Sequence, residues 1–135
     1  MGLTYFGHPV ACRAALKNIE IMQSENLLQN TQTSGQYLQE TARSLLNLPH
    51  VGDVRGQGLM MAIDLLADKK TKMPLPTAAR AGESVFKKCM ERGVIVRPVG
   101  DRIILSPPLI IDQAQCDTIV NAISESIVEF SKEYS

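Results

Sequence analysis

The architecture of this 135-residue chain is most clearly indicated by its middle, which reads Val51-Gly52-Asp53-Val54-Arg55-Gly56-Gln57-Gly58-Leu59-Met60. β-Branched and aliphatic residues continue from this stretch to Leu66, and three glycines interrupt them. Such residues favour extended backbone, whereas glycine inside a strand permits a sharp bend. We therefore predict two strands, joined by a bend, within residues 51–66.

Helical patterns precede these strands. Pro9 suits the first position of a helix, because its fixed φ is helical and its missing N–H is not needed there. Apolar residues then recur at three- and four-residue spacing, which predicts one buried stripe. That stripe comprises Cys12, Ala15, Leu16, Ile19 and Met22. A second helix is predicted for residues 26–46, with Pro49 beyond its end, and its apolar residues are Leu28, Tyr37, Leu38, Ala42, Leu45 and Leu46.

A third helix is predicted after the strands. Residues 68–76 are polar and proline-containing, so we expect an exposed loop there, and Thr77 is expected to cap the helix that follows. Arg92-Gly93 supplies the cation and the glycine that are typical of a helix C-terminus. The buried stripe of this helix is predicted to include Val85, Phe86, Cys89 and Met90.

Two short strands and a final helix complete the chain. Residues 94–96 and 102–105 are predicted strands, joined through the turn-forming Pro98-Val99-Gly100-Asp101. Asp112 with Gln115 three residues later begins a helix whose apolar face is the most regular in the chain. That face comprises Cys116, Ile119, Val120, Ile123, Ile127 and Phe130. The order of elements predicts an α+β layer sandwich with a small, mostly antiparallel sheet.

Composition excludes several classes of function. Fourteen basic and fourteen acidic residues are spread along the chain, so there is no electrostatic footprint for nucleic acid. No apolar run is long enough for a membrane span, and no secretory signal is visible, so we expect a cytoplasmic protein. Cys12, Cys89 and Cys116 are far apart on apolar stripes, which favours reduced core thiols over disulfides or a metal site.

Three motifs, taken together, resemble the class III pyridoxal-phosphate-dependent aminotransferases, and the resemblance runs from Thr4 to the end of the chain. The first is Thr4-Tyr5-Phe6-Gly7-His8-Pro9, and the second is the Val51–Met60 stretch. The third is Arg92-Gly93-Val94-Ile95-Val96-Arg97-Pro98, which leads into Ser106-Pro107-Pro108-Leu109. Any one of them alone is weak evidence, but the three follow the family's order and spacing.

The resemblance implies the C-terminal portion of such an enzyme. Residues 1–24 would be the end of the large domain with a connecting helix, and residues 25–135 would be the small C-terminal domain of the fold-type I enzymes. The parent reaction would transfer an amino group from an amine or ω-amino acid to pyruvate or a similar keto acid, with pyridoxal phosphate as cofactor. The resemblance also implies a homo-oligomer.

Thr4 is the first candidate site residue. A hydroxyl at a turn before a helix can donate to a phosphate oxygen where backbone N–H groups also point outward. In the family, the matching threonine binds the cofactor phosphate of the partner subunit. The alternative is an ordinary capping or turn residue, whereas His8 is given no proton-transfer role.

Arg97 is the candidate substrate-binding residue. A planar guanidinium can hold a carboxylate through two parallel hydrogen bonds. In the amine:pyruvate branch of the family, the arginine at this place binds the keto acid. In the ornithine and 4-aminobutyrate branch that arginine lies instead where this chain has Leu105, so Leu105 favours the pyruvate branch. The alternative for Arg97 is an exposed strand-end residue. We interpret Arg55 as structural, with contact to substrate as its alternative.

No residue of the chain is assigned a catalytic role. The family's reaction depends on a lysine that holds the cofactor covalently, and none of the lysines here matches it. We therefore expect the isolated chain to be inactive. The alternative function, from a different class, is a non-enzymatic protein-interaction domain that keeps the small-domain fold.

Overall fold

A computed structural model of the chain describes residues 6–134. Within that range the helices and strands are α1 (Pro9–Ser24), α2 (Leu27–Ala42), β1 (Val51–Gln57), β2 (Met60–Asp68), β3 (Met73–Pro74), α3 (Ala81–Glu91), β4 (Arg97–Val99), β5 (Arg102–Leu105) and α4 (Gln113–Tyr134). Two 3₁₀ turns, Arg43–Asn47 and Thr77–Ala79, follow α2 and precede α3. This arrangement confirms the α+β prediction.

The strands form one antiparallel sheet in the order β1-β2-β5-β4, and β3 pairs with the far end of β2. Side chains alternate between the two faces of a strand. On one face, Met61, Ile63 and Leu65 of β2 and Ile103 and Leu105 of β5 are buried in the core. We call the opposite face, which carries exposed or half-exposed side chains, the open face. The open face is the one that matters for the site.

Helix α4 contributes many buried side chains to the core. Its start is a reciprocal capping box, in which the Gln115 N–H donates to Asp112 Oδ1 over 2.8 Å and the Asp112 N–H donates to Gln115 Oε1 over 3.1 Å. This satisfies two donors that the first turn leaves without helical partners. The apolar face of α4 is buried or half-buried along its whole length, as predicted.

A polar clamp holds α3 against the exposed side of α4. Lys88 Nζ donates to Glu129 over 2.9 Å and to Glu133 over 2.8 Å, and Arg92 pairs with Glu125 and Glu129. The hydrogen bonds to Glu133 and Glu129 raise the pKa of Lys88 above its ordinary value. The same contacts from Lys88 and Arg92 lower the pKa of Glu129. The clamp therefore keeps its charges over the physiological pH range.

The buried stripe predicted for the first helix is wrong. Pro9 does occupy the first turn of α1 as expected, with His8 as the N-cap. However, α1 has no buried residue, and Leu16 and Ile19 are 54% and 51% exposed. Cys12 is exposed too, so it is not the core thiol that was predicted. The periodicity indicated an amphipathic helix correctly, but the only described helix or strand with several contacts to α1 is α2.

Other corrections concern residues 68–99. Thr77 does not cap α3, which begins at Ala81 after Arg80 in a left-handed conformation with φ 44°. The range 68–76 is not wholly an exposed loop, because β3 pairs with β2 and Leu75 is buried. Residues 94–96 belong to no strand, and the strand lies at Arg97–Val99 instead. Pairing with β5, not local propensity, decides which of these residues form the strand.

Candidate functional site

A cavity of about 690 Å³ opens beside the edge of the sheet that β4 forms. Its walls come from the connection between α3 and β4, the end of β5 with the prolines that follow, and the first turns of α4. Most of the lining side chains are aliphatic, and they include Met60, Ile95, Ile104, Leu105, Ile110 and Ile119. Concave, largely apolar sites with few polar groups are typical of small-molecule binding.

The end of α3 fixes the direction in which the chain runs along the wall of this cavity. Gly93 ends α3 with φ 76°, and the Val94 N–H donates to the Cys89 carbonyl over 2.9 Å, which closes the helix. Burial then alternates from residue to residue over 94–97, as it does where successive side chains point to opposite sides. Val94 and Val96 are buried, whereas Ile95 is 80% exposed and Arg97 is exposed. The alternation thus directs Ile95 and Arg97 away from the core.

Arg97 lines the cavity and is the only charged residue among the lining residues in the described range 6–134. Its backbone is held in the sheet, where Arg97 is in register with Ile104 of β5. Among residues 6–134 no carboxylate or carbonyl pairs with its guanidinium. A cation with five donors and apolar surroundings is suited to an anionic ligand.

Leu105 lies in the same cavity, 4% exposed and in register with Met61 of β2. It contributes an aliphatic wall to the cavity at the end of β5. Any carboxylate that enters this part of the cavity therefore has Arg97 as its cationic partner on the described part of the chain.

Arg55 has a different environment, and the structural interpretation of this residue is confirmed. Its Nη1 donates to Asp53 Oδ2 over 2.7 Å and to Asp64 Oδ2 over 2.5 Å. Asp64 also pairs with Nε of Arg102. Burial, the largest single effect, raises the pKa of Asp64, but the hydrogen bonds from Arg55 and Arg102 together outweigh it and lower that pKa below the usual range. Arg55 does not line the cavity.

Strand register separates the two arginines. Arg97 lies opposite Ile104, Ile104 opposite Ala62, and Ala62 opposite Arg55, so the four residues form one row across the open face. With neighbouring strands ~4.8 Å apart, the two arginine backbones are about 14 Å apart. The guanidinium of Arg55 is paired with Asp53 and Asp64, whereas that of Arg97 lines the cavity.

The buried thiols and the lysines of the described residues lie outside the cavity. Cys89 and Cys116 are buried as predicted, and burial raises the pKa of each thiol. No lysine lines the cavity within residues 6–134. Over the same range, no group of three potential ligands could hold a metal ion, and no helix is long and apolar enough to cross a membrane. Thr4, the candidate cofactor-binding residue, lies outside the described residues.

Sequence reasoning missed two features near Arg97. The first is Met60, 67% exposed, which contributes a wall of the cavity from the start of β2. The second is a close contact between Gly82 of α3 and the turn between β4 and β5. The adjacent small residues Ala81 and Gly82 at the start of a helix were the available signal for it, since glycine often marks a close backbone approach.

The chain is similar in sequence and in structure to known proteins of one family. A family model described as Aminotransferase class-III matches residues 1–127. The adenosylmethionine-8-amino-7-oxononanoate aminotransferase of Methanocaldococcus jannaschii is 43% identical over 129 residues, which cover 93% of this chain and 28% of that protein. The putrescine–pyruvate aminotransferase of Pseudomonas aeruginosa is 39% identical over 88% of this chain and 26% of that protein.

Solved structures of transaminases also have the fold of this chain. An (S)-enantioselective ω-transaminase from Thermomicrobium roseum superposes with a TM-score of 0.91 at 38% identity, covering 96% of this chain and 29% of that one. The chain thus spans less than a third of the length of the proteins it resembles.

Proposed function

Because the chain belongs to the class III aminotransferase family, we propose that it forms the C-terminal portion of a pyridoxal-phosphate-dependent enzyme. The reaction transfers an amino group from an amine or ω-amino acid to pyruvate or a similar keto acid. Residues 1–24 would connect to the large domain, and residues 25–135 would be the small domain. The free buried thiols suit a reducing compartment, so we place the enzyme in the cytoplasm.

The observation that carries the proposal is the guanidinium of Arg97, which has no partner among residues 6–134, in a largely apolar cavity. Two parallel N–H donors bind and orient a carboxylate, and the aliphatic walls beside the pair lower the local dielectric relative to bulk water, which strengthens it. Arg97 therefore binds the keto acid by its carboxylate and sets the direction in which the carbonyl carbon points. An amine substrate without a carboxylate does not need this contact with Arg97.

The described residues are suited to binding the substrate carboxylate, but they include no group in the cavity that could attach the cofactor covalently. Pyridoxal phosphate supplies the electron sink for the reaction. Holding it covalently requires an amine, and no lysine lines the cavity within residues 6–134. We propose that the covalent attachment comes from a part of the enzyme beyond these 135 residues, that Thr4 contributes to phosphate binding, and that the isolated chain is inactive.

A longer oxo acid is the second candidate acceptor. The cavity is much larger than the few atoms of pyruvate require, and its aliphatic walls suit a hydrocarbon chain behind the carboxylate. The relative from M. jannaschii is named for 8-amino-7-oxononanoate, a nine-carbon acid, whereas the P. aeruginosa relative is named for pyruvate. Kinetics with both acceptors separates the two.

The test is Arg97→Ala in the complete aminotransferase that contains this sequence. A charge-assisted pair is worth about 1.5–3 kcal/mol, so kcat/KM for the keto acid should fall roughly tenfold to a few hundredfold. The half-reaction with a simple amine should be largely spared. Arg55→Ala is the matched control, because it breaks the pairs with Asp53 and Asp64 and should lower both half-reactions together. Equal impairment of amine and keto acid by Arg97→Ala would make Arg97 a structural residue.

A further inference from the structure

Gly82, the second residue of α3, lies directly against the hairpin that carries Arg97. A Cβ atom at Gly82 would stand 2.0 Å from the carbonyl oxygen of Gly100, 3.2 Å from its carbonyl carbon and 3.5 Å from Cβ of Pro98. Real Cβ atoms do not approach backbone oxygen this closely. Gly82 is buried, so the space beside it is filled by the hairpin and not by solvent.

This contact lies close to Arg97 along the chain. Pro98 follows Arg97 immediately, and alternation along the strand places Pro98 on the helix side and Arg97 on the open face. Strand β4 has only three residues and lies at the edge of the sheet, paired with β5 alone. Its tilt therefore depends strongly on what supports it from the helix side, and that support is the first turn of α3.

We propose that Gly82 is a positioning residue for Arg97. By letting α3 lie on the backbone of Gly100 and on Pro98, it sets where the guanidinium stands in the cavity and so how well the cavity binds a carboxylate. The inference rests on the proposed carboxylate-binding role of Arg97. Any side chain at position 82 pushes the hairpin outward by roughly 1 Å, a displacement that can cost up to about a hundredfold in an oriented site.

The chain offers a matched control at its other hairpin. Gly35 of α2 approaches the β1–β2 turn, where a Cβ would stand 2.6 Å from the carbonyl carbon of Gly58. Gly35→Ala therefore creates the same kind of clash between a helix and a hairpin backbone, but on the strand pair that does not include β4. It should perturb folding comparably and leave Arg97 where it is.

The experiment compares two ligands that differ only in charge. The 135-residue chain, labelled with ¹⁵N, is titrated with hexanoate and with its neutral analogue hexanamide, and the dissociation constants are read from the Arg97 Nε–Hε signal and from amide signals of the cavity. We expect wild-type chain to prefer hexanoate. Gly82→Ala should weaken hexanoate binding by about tenfold and leave hexanamide unchanged, whereas Gly35→Ala should keep the preference.

Two further variants test the turn without a steric clash and the role of the Arg97 charge. Gly100→Ala adds a side chain where φ is 58° and nothing lies within 4 Å, so it strains the same turn without a clash and should weaken hexanoate about threefold. It replaces Gly82→Ala if that variant does not fold. Arg97→Ala should abolish the preference.

The two possible failures are distinguishable. If wild-type chain binds hexanoate no better than hexanamide, or if Arg97→Ala keeps the preference, then the carboxylate-binding function itself is overturned. If the preference depends on Arg97 but is undiminished in folded Gly82→Ala, or in Gly100→Ala where Gly82→Ala does not fold, or is weakened equally in Gly35→Ala, then only the positioning role of Gly82 is overturned.

Discussion

Asp64 on β2 and Arg102 on β5 are register partners whose side chains form an ion pair across the open face. The second carboxylate oxygen of Asp64 pairs with Arg55 on β1, so one carboxylate links three strands. Only 24% of the Asp64 side chain is exposed, and it is the least exposed member of this network. Its removal should therefore matter more than that of any other carboxylate nearby.

We predict that Asp64→Asn lowers the free energy of unfolding by about 1 kcal/mol, because two partly exposed ion pairs are lost together. Asp53→Asn is the control, since Asp53 is 52% exposed and pairs with Arg55 alone. It should cost clearly less. Urea denaturation followed by circular dichroism at pH 7 measures both values, and an equal or smaller effect of Asp64→Asn would contradict the role assigned to it.

The contribution of Asp64 should depend on pH. Because the arginines lower its pKa in the folded state, its stabilising effect is fully present above the ordinary aspartate pKa of 3.8 and is lost as the pH falls from there through the folded-state value. The stability difference between wild-type chain and Asp64→Asn should thus be constant from pH 7 to about pH 5 and shrink below about pH 4. A difference that grows on acidification would have the wrong sign.

Two leucines on α2 make a direct test of the core. Both belong to the apolar residues of the second predicted helix, but Leu38 is fully buried whereas Leu28 is 67% exposed. Leu38→Ala should cost about 2–5 kcal/mol through lost burial and a cavity. Leu28→Ala should change stability by less than about 0.5 kcal/mol, as is usual at exposed positions. Thermal unfolding of the two variants side by side is the measurement, and similar losses would show that α2 packs differently.

The exposed apolar residues of α1 should make the isolated chain associate. Val10, Leu16 and Ile19 are all more than half exposed on this helix, and large apolar patches tend to find partners. Sedimentation velocity over a wide concentration range should show self-association of wild-type chain and a monomer for Leu16→Glu/Ile19→Glu. Gln23→Glu, which adds charge at a polar exposed position, should associate like wild type. A wild-type monomer at all concentrations would mean that α1 folds back onto the body.

The isolated chain should not retain pyridoxal phosphate covalently. Incubation with the cofactor, reduction with borohydride and intact-mass spectrometry should show no specific adduct, since no lysine lines the cavity within residues 6–134. Exposed lysines give low, scattered labelling, so the decisive result would be stoichiometric modification at one lysine that survives dialysis before reduction. That result would also contradict the proposal that the cofactor is attached to another part of the enzyme.

Local chemistry explains which parts of the fold were predictable. The capping pair Asp112 and Gln115, the helix-starting Pro9 and the helix-ending Gly93 act through contacts within a few residues, so their roles are readable from spacing. The same is true of the hairpin between β1 and β2. At the site, the sequence singled out Arg97 and Leu105, which the structure brings into one cavity, and it interpreted Arg55 correctly as a structural cation.

What the sequence determined by itself is therefore the order of the four helices, the two hairpins in outline, the α+β class and the chemical character of Arg97. The tertiary structure alone decided which strand residues pair, because the ladder with β5 selects Arg97–Val99 over the more β-prone residues 94–96. It alone decided that the apolar stripe of α1 is exposed whereas that of α4 is buried, since periodicity shows that a helix has an apolar face but not what covers it. The partner of Gly82 was also decided by the tertiary structure, because a glycine signals close approach but its contact with Gly100, eighteen residues away, depends on how a helix and a hairpin pack together.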